Sequence, residues 1–279
     1  SGSKVEYMSN IPLGDSTAMR FVAYRDRKGG YIDQVAGSVN VSQSARFRPA
    51  GTVRSNGLPV SSARNGFQAT SNVSSFLAGV TKPSASAIVK DDVNPVTYEG
   101  FRASVKHQIN DNWDALVTVA NQTIESDGVF FADPPLGDLE IQRYHNDTLE
   151  DEFDNMSLTL EGSIGDLEIV YAGAFTDRVS NQIIDYTDYL FVGQYLPYYI
   201  CDYYVTYTTY APGNVPTGDC GTPDMFVESD TNTEVMTHEL RINTDLSDTM
   251  SLTAGAFISD LELLEHNMFT YPGSIVSDI

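Results

Sequence analysis

The sequence predicts an all-β fold, an antiparallel up-and-down transmembrane β-barrel of which about eight strands, arranged as four hairpins, are present. Three observations predict it. Apolar and polar residues alternate in several segments, short polar turns join these segments in pairs, and long irregular stretches separate the pairs. Alternation with a period of two gives a strand one apolar and one polar face. Short turns at one end and long extracellular loops at the other are typical of outer-membrane barrels.

The alternation is clearest in residues 155–164, where the chain reads N-M-S-L-T-L-E-G-S-I. Met156, Leu158 and Leu160 fall on one face, and Ser, Thr and Glu side chains occupy the other. The same alternation recurs near residues 19–24, 101–109, 113–119, 167–175, 236–246 and 252–258. Several of these segments exceed the 5–6 residues usual for soluble strands and approach the roughly 9–11 residues that a tilted membrane strand needs.

The turns that join the segments are rich in Asn, Asp, Gly and Ser, the residues that tight hairpins require. They lie at residues 12–15, 110–112, 165–166 and 247–249. We predict irregular stretches at residues 29–96, 127–152 and 180–231, with a fourth from residue 265. Compact soluble domains rarely contain structureless loops much longer than about 15 residues, which favours extracellular loops of a barrel.

Charge and hydropathy restrict the partners. The formal net charge is -22 and the pI is about 4.2, so the chain repels phosphate backbones and we expect no nucleic-acid partner. No run of about 18 apolar residues predicts a transmembrane helix. The first residues lack the pattern of a signal peptide. We therefore expect residues 1–279 to be one β domain that lies inside a longer protein.

Two segments resemble the barrel domain of TonB-dependent receptors, especially the subgroup of iron-complex receptors. Residues 10–33 contain P-L-x-D-x-x-A-x-R, from Pro12 to Arg20, followed by G-G-Y-I-D. Residues 233–243 contain E-L-R, and A-G-x-F follows at residues 254–257. The resemblance covers most of the chain through the order of its hairpins. The family's TonB box, N-terminal plug and remaining strands of a 22-stranded barrel have no counterpart in these residues.

The resemblance implies a place in the bacterial outer membrane and a part in active import. In the family, extracellular loops and the plug bind a ferric siderophore or another small molecule, and TonB acts through the plug. The expected partners are therefore outer-membrane lipid, TonB through the plug region, and a ferric siderophore or similar ligand. No cofactor is expected.

A tyrosine-rich segment supplies the candidate ligand-binding residues, because tyrosine offers a flat apolar face and a polar tip. An alternative is that these rings pack the loop against its neighbours. The tyrosines of this segment are Tyr186, Tyr189, Tyr195, Tyr198, Tyr199, Tyr203, Tyr204, Tyr207 and Tyr210. Cys201 and Cys220 lie in the same stretch, and the pair predicts a loop-closing disulfide worth about 3 kcal/mol. Two unpaired thiols are the alternative.

The remaining acidic and histidine residues give weaker support for a binding or catalytic site. An acidic cluster lies at Asp147, Glu150, Asp151, Glu152 and Asp154, but its spacing matches no Ca²⁺ loop and favours a solvated acidic loop. His145 and His266 lie in predicted loops, where ligation of haem iron is an alternative role, and none of the histidines forms a metal-binding pair. No metal site and no catalytic motif is predicted, so we expect no enzyme.

His107 and His238 fall on the predicted apolar face, where we expect them to lie near a membrane interface. Aromatic residues near the predicted strand ends suit the aromatic girdles of an outer-membrane barrel, although aromatics favour strands in general. These aromatics are Tyr7, Tyr98, Trp113, Phe153 and Phe175.

Two other functions remain open from the residues. One is a complete eight-stranded outer-membrane barrel with a structural or adhesive role, because eight strands can close on themselves. The other is a soluble extracellular β-sandwich that binds carbohydrate through the tyrosine-rich segment.

Overall fold

A computed structural model describes residues 1–36, 88–132, 136–187 and 225–272. Eight strands form one antiparallel sheet in the order β1-β2-β4-β5-β7-β8-β9-β10, so each strand pairs with the next long strand along the chain. Strands β3 and β6 form a separate two-stranded parallel sheet. The strands are β1 Ser3–Pro12, β2 Thr17–Lys28, β3 Asp33–Gln34, β4 Val96–Asn110, β5 Trp113–Asp127, β6 Glu140–Ile141, β7 Thr148–Ile164, β8 Leu167–Asp185, β9 Phe226–Ser247 and β10 Met250–Thr270. The predicted all-β, eight-strand antiparallel arrangement is confirmed.

Four short turns lie at one end of the sheet, the turn end, and the long connections leave from the other, the loop end. The strands lengthen along the sheet, from 10 residues in β1 to 22 in β9. The predicted irregular stretches were too long, because β7 already begins at Thr148, β8 continues to Asp185 and β9 begins at Phe226. These extensions lack apolar alternation, so the sequence pattern does not reveal them.

The register places the alternating apolar residues side by side on one face, near the turn end. Met156, for example, pairs with Val119 of β5 and Phe175 of β8. We call this set the apolar band. It comprises Met19, Phe21, Ala23, Phe101, Ala103, Val105, Ala115, Val117, Val119, Met156, Leu158, Leu160, Ile169, Tyr171, Phe175, Met236, Leu240, Ile242, Leu252, Ala254, Ala256 and Ile258.

The opposite face, the polar face, carries charged pairs at the same height as the apolar band. Lys106 Nζ lies 3.3 Å from Asp114 Oδ2, and Arg241 Nε lies 3.0 Å from Glu239 Oε1. Ser104 and Thr118 also hydrogen-bond across the strands at 2.9 Å. The sheet therefore has one apolar and one polar face, as the alternation predicts.

Both histidines of the apolar face have hydrogen-bond partners on a neighbouring strand. The His238 Nδ1 atom lies 2.7 Å from the Tyr171 hydroxyl, above Gly173, and His107 Nδ1 lies 2.8 Å from Thr17 Oγ1. His107 lies near the turn end, but His238 lies inside the apolar band, paired with Gly173 and Ile258. The expected interfacial position is therefore wrong for His238, and a cross-strand partner satisfies its ring instead.

The predicted aromatic girdle is wrong for most of its members. Phe153 and Phe175 lie well inside the long strands β7 and β8, and Tyr98 and Phe153 face the polar side. Trp113 alone begins its strand beside the turn end, where its ring covers Gly162 of β7. For Phe153 and Phe175 the reason is the extra length of β7 and β8, which moves the strand ends away from these two positions.

A small buried core lies at the loop end. Ile32, Val129 and Ile141 are buried together around β3 and β6, with Val93 and Ala132 packed against them. The strand residues Val96, Ser126, Asp151, Ser180, Val227 and Ser229 are also buried, and the register places all of them on the polar face. Residues 30–36, 88–95, 128–132 and 136–147, the loop-end cap, thus cover the polar face at this end.

We predict that Gly162→Ala destabilises the turn end. A Cβ at this position would overlap the Trp113 ring, so the ring must move, and overpacking of this kind costs roughly 1–3 kcal/mol. Trp113 is the only tryptophan, so its fluorescence spectrum reports the change directly. Ser163→Ala, on the other face of β7, is the matched control. An unchanged spectrum and unfolding midpoint for Gly162→Ala would contradict this packing.

Candidate functional site

The loop-end cap is fastened to the sheet by the carboxylate of Asp185, which is 3% exposed at the end of β8. Its Oδ2 accepts hydrogen bonds from the main-chain N–H groups of Tyr144 and His145 at 2.5 and 3.3 Å. Its Oδ1 accepts from the N–H of Thr187 at 2.9 Å. One buried carboxylate therefore satisfies three main-chain donors and joins the loop before β7 to the end of β8.

Asp147 makes the reciprocal connection. Its Oδ1 accepts from the Asp185 N–H at 3.0 Å, its Oδ2 accepts from Arg143 Nε at 3.0 Å, and its carbonyl accepts from the Gly128 N–H at 2.7 Å. Burial raises the pKa of Asp147 above its usual value, and the Arg143 guanidinium and the Asp185 N–H offset part of that rise. We call Arg143, Asp147 and Asp185 the carboxylate clamp.

Hydrogen bonds join the first and last described residues of the connection from β8 to β9. The Thr187 hydroxyl donates to the Met225 carbonyl and accepts from the Met225 N–H, both at 3.2 Å. The Tyr186 N–H also donates to the Met225 carbonyl, at 2.9 Å. Because the clamp holds Thr187, both points where the tyrosine-rich segment joins the sheet are set by the cap.

A cavity of about 690 Å³ lies beside the clamp, and we call it the aromatic pocket. Apolar side chains dominate its wall, and the clamp residues form its polar part. The wall includes Val129, Phe130, Phe131, Leu149, Ile184 and Tyr186. The Arg143 guanidinium lies 5.0 Å from the centre of the Phe131 ring, a cation–π distance. The volume suits a small-molecule ligand.

A second cavity, a groove of about 750 Å³, crosses the loop end from β2 to β10. Its strand residues lie mostly on the same face as the apolar band, where acidic side chains replace apolar ones. Arg25, Arg27 and His266 also line it, together with Glu125, Asp127, Glu150, Glu228 and Asp230. The loop end is therefore strongly electronegative on this face.

Acidic side chains stand directly opposite one another in this region. Asp154 pairs with Asp177, and Asp177 pairs with Glu234 on the next strand. Like charges in directly opposed positions destabilise a sheet unless water or counter-ions screen them. These carboxylates therefore indicate that this part of the strands faces water, above the apolar band.

Only one of the predicted ligand-binding tyrosines lies in the described part of the chain. Tyr186 follows β8, lines the aromatic pocket and stands edge-on to Phe269, with ring centres 6.2 Å apart. The others lie outside the described residues, as do both cysteines of the predicted disulfide. These residues are Tyr189, Tyr195, Tyr198, Tyr199, Tyr203, Tyr204, Tyr207, Tyr210, Cys201 and Cys220.

The predicted acidic loop is wrong, because most of the cluster lies in strand β7, although three of its five carboxylates are exposed as expected. Asp147 is buried in the clamp, and Asp151 lies inside β7, where its carboxylate pairs with Arg178 of β8 at 2.5 Å. The strand begins earlier than the apolar pattern indicates, so residues of one sequence cluster are divided between two faces. In the described ranges, no group of three or more His, Cys, Asp or Glu side chains could hold a metal ion.

Apart from Tyr186 and Asp147, the residues that build the aromatic pocket were not identified from the sequence. Phe130 and Phe131 are adjacent apolar residues in a predicted irregular stretch, and Arg143 and Asp185 are single charges without a motif. The pair of phenylalanines beside Gly128, which has a φ of 65°, was the one available signal. Binding residues are often carried by loops that a rigid scaffold positions.

None of the described residues forms a helix long and apolar enough to cross a membrane. No protein-family model matches the sequence, and no curated protein matches it. Among solved structures, the chain is similar to the ferric-catecholate import receptor Fiu from E. coli K12 in its open form, with 10% identity and a TM-score of 0.37. The alignment covers 95% of this chain and 44% of that receptor, so the chain spans less than half of its length.

We predict that Asp185→Ala loosens the cap. The change leaves three main-chain N–H groups without their acceptor, and each buried unsatisfied donor costs roughly 1–3 kcal/mol. Hydrogen exchange at the amides of Tyr144, His145 and Thr187 should accelerate strongly. Asp177→Ala, an exposed acid on the same strand, is the matched control and should leave these amides protected. Equal protection in both variants would contradict the clamp.

Proposed function

We propose that this chain is part of the wall of an outer-membrane β-barrel, with the turn end on the periplasmic side and the loop end outside the cell. The apolar band is the observation that carries the proposal. Its side chains stand exposed on a single-layer sheet: Met156 is 58% exposed and Ile258 is 69% exposed. A face of this kind is stable only against an apolar partner, and a bilayer supplies one.

The dimensions of the apolar band support the same conclusion. On β7 the face that carries the band continues from Met156 to the strand end at Ile164. At about 3.3 Å per residue these eight steps span roughly 26 Å along the strand, and tilt reduces the height to about 20 Å, comparable to the approximately 25 Å of a barrel's apolar belt. The acidic groove then lies in water beyond the lipid.

A barrel wall explains the polar face better than a soluble sandwich does. Lys106, Asp114, Glu239 and Arg241 lie opposite the band, paired with one another and partly exposed. In a sandwich one face would pack on a second sheet, yet beyond the eight-stranded sheet the described part of the chain contains only the two-stranded β3–β6 pair. In a large barrel these charges face a wet or plugged lumen.

We further infer that the whole protein imports a small ligand with energy from TonB, a ferric siderophore being the first candidate. The sequence motifs at residues 10–33 and 233–257 support this inference. The clamp and the aromatic pocket lie at the end that would face outward, which supports this inference. TonB itself would act through a plug region elsewhere in the longer protein.

For the membrane position, we predict that Leu158→Asp impairs insertion and Thr159→Asp does not. The two positions are adjacent on β7 but face opposite sides, so only Leu158→Asp brings a charge into lipid, at a cost of about 2 kcal/mol. Urea unfolding from lipid vesicles measures the difference. Equal effects of the two variants would disprove a lipid-facing band.

For the import role, we predict TonB-dependent accumulation of a ferric siderophore by cells that express the full-length gene product containing this chain. Radioactive iron uptake is compared between cells with and without TonB. Uptake that needs the gene product and TonB together is expected. Equal uptake with and without TonB, for every siderophore of a panel, would refute energised import. It would not contradict the proposed membrane position.

A further inference from the structure

We propose that the aromatic pocket binds an aromatic ring that carries no negative charge. This names a ligand class for the loop end and goes beyond the proposed wall and import roles. The proposal rests on the cavity, its aromatic wall and its charge distribution. All the lining residues lie in the described part of the chain.

Two phenylalanines of the pocket wall are exposed on a turn that a main-chain hydrogen bond holds in place. Val129 is buried in the cap, yet the next two residues, Phe130 and Phe131, are 58% and 55% exposed and line the pocket. The turn before them is fixed, because the Gly128 N–H donates to the Asp147 carbonyl at 2.7 Å. Exposing two phenylalanines on a fixed turn is costly, and a flat ligand would recover that cost by stacking.

The charges of the pocket select against anions. Arg143 is the positive group of the pocket, and it already contacts both carboxylate oxygens of Asp147, at 3.0 and 3.3 Å. The carboxylate of Asp185 adds a negative charge beside this pair. The nearby groove contains five further carboxylates, at Glu125, Asp127, Glu150, Glu228 and Asp230. Arg25 and Arg27 of the groove offset only part of this charge, so an anionic ligand would meet a net negative potential.

Stacking on the aromatic side chains of the pocket increases the affinity for an aromatic ligand. Phe130, Phe131 and Tyr186 line one cavity, and the Phe131 ring is polarised by the guanidinium of Arg143 on one side. Ring pairs contribute beyond their buried area, by roughly 0.5–1.5 kcal/mol, which corresponds to about a tenfold change in affinity at the upper limit. An aliphatic ligand would fill the volume but would lose this contribution.

The test uses three probes with the same ring and different charge: indole, tryptamine and indole-3-acetate at pH 7.5. Binding to the purified chain in detergent is measured by saturation-transfer NMR, and empty micelles give the background. We expect indole and tryptamine to bind, and indole-3-acetate to bind about tenfold more weakly. Equal or tighter binding of indole-3-acetate, or no binding of indole, would overturn the proposal.

Variants locate the site. Phe131→Ala should weaken indole binding about tenfold, and Phe131→Leu, which keeps apolar volume without the ring, should weaken it less. Tyr31→Ala is the matched control, because Tyr31 is an exposed aromatic of the same cap that does not line the pocket. Wild-type affinity in Phe131→Ala, or equal loss in Tyr31→Ala, would refute this location. Both measurements are independent of lipid insertion and of import, so their failure would leave those proposals standing.

Discussion

The ladder of main-chain hydrogen bonds between eight antiparallel strands is the interaction on which the rest of this structure depends. It fixes the register, and the register alone decides which side chains become neighbours, because a shift of one residue would exchange the two faces. The ladder cannot bury an apolar face by itself. The described residues place their buried apolar side chains at the loop end, so the exposed apolar band requires a partner outside the sheet.

The loop end follows a different physical rule from the sheet. There the chain buries charged side chains. Each buried carboxylate of the clamp accepts hydrogen bonds from main-chain N–H groups or from Arg143. Such an arrangement is rigid because breaking one bond leaves a buried group without a partner. The consequence is a fixed frame around the aromatic pocket and at both attachment points of the tyrosine-rich segment.

The electrostatic contrast between the two ends connects fold and function. Carboxylates gather beyond the apolar band, and several stand opposite one another on adjacent strands, as Asp154 and Asp177 do. This arrangement costs stability in an isolated sheet, but on one face it separates a region suited to lipid from a region suited to water. It also makes the loop end strongly electronegative, a local concentration of charge that the net charge of the whole chain does not reveal by itself.

The sequence by itself determined the strands and their faces. Alternation from Met156 to Leu160 and the turn residues at Gly165 and Asp166 predicted β7, β8 and their pairing, because these signals are local. Tertiary structure alone decided the strand ends, the division of the acidic cluster between two faces, and the pocket. Phe131 and Arg143 lie in the connection between β5 and β7, Asp185 ends β8, and none of them carries a periodic signal. Their meeting depends on main-chain hydrogen bonds at the loop end, which no local pattern encodes.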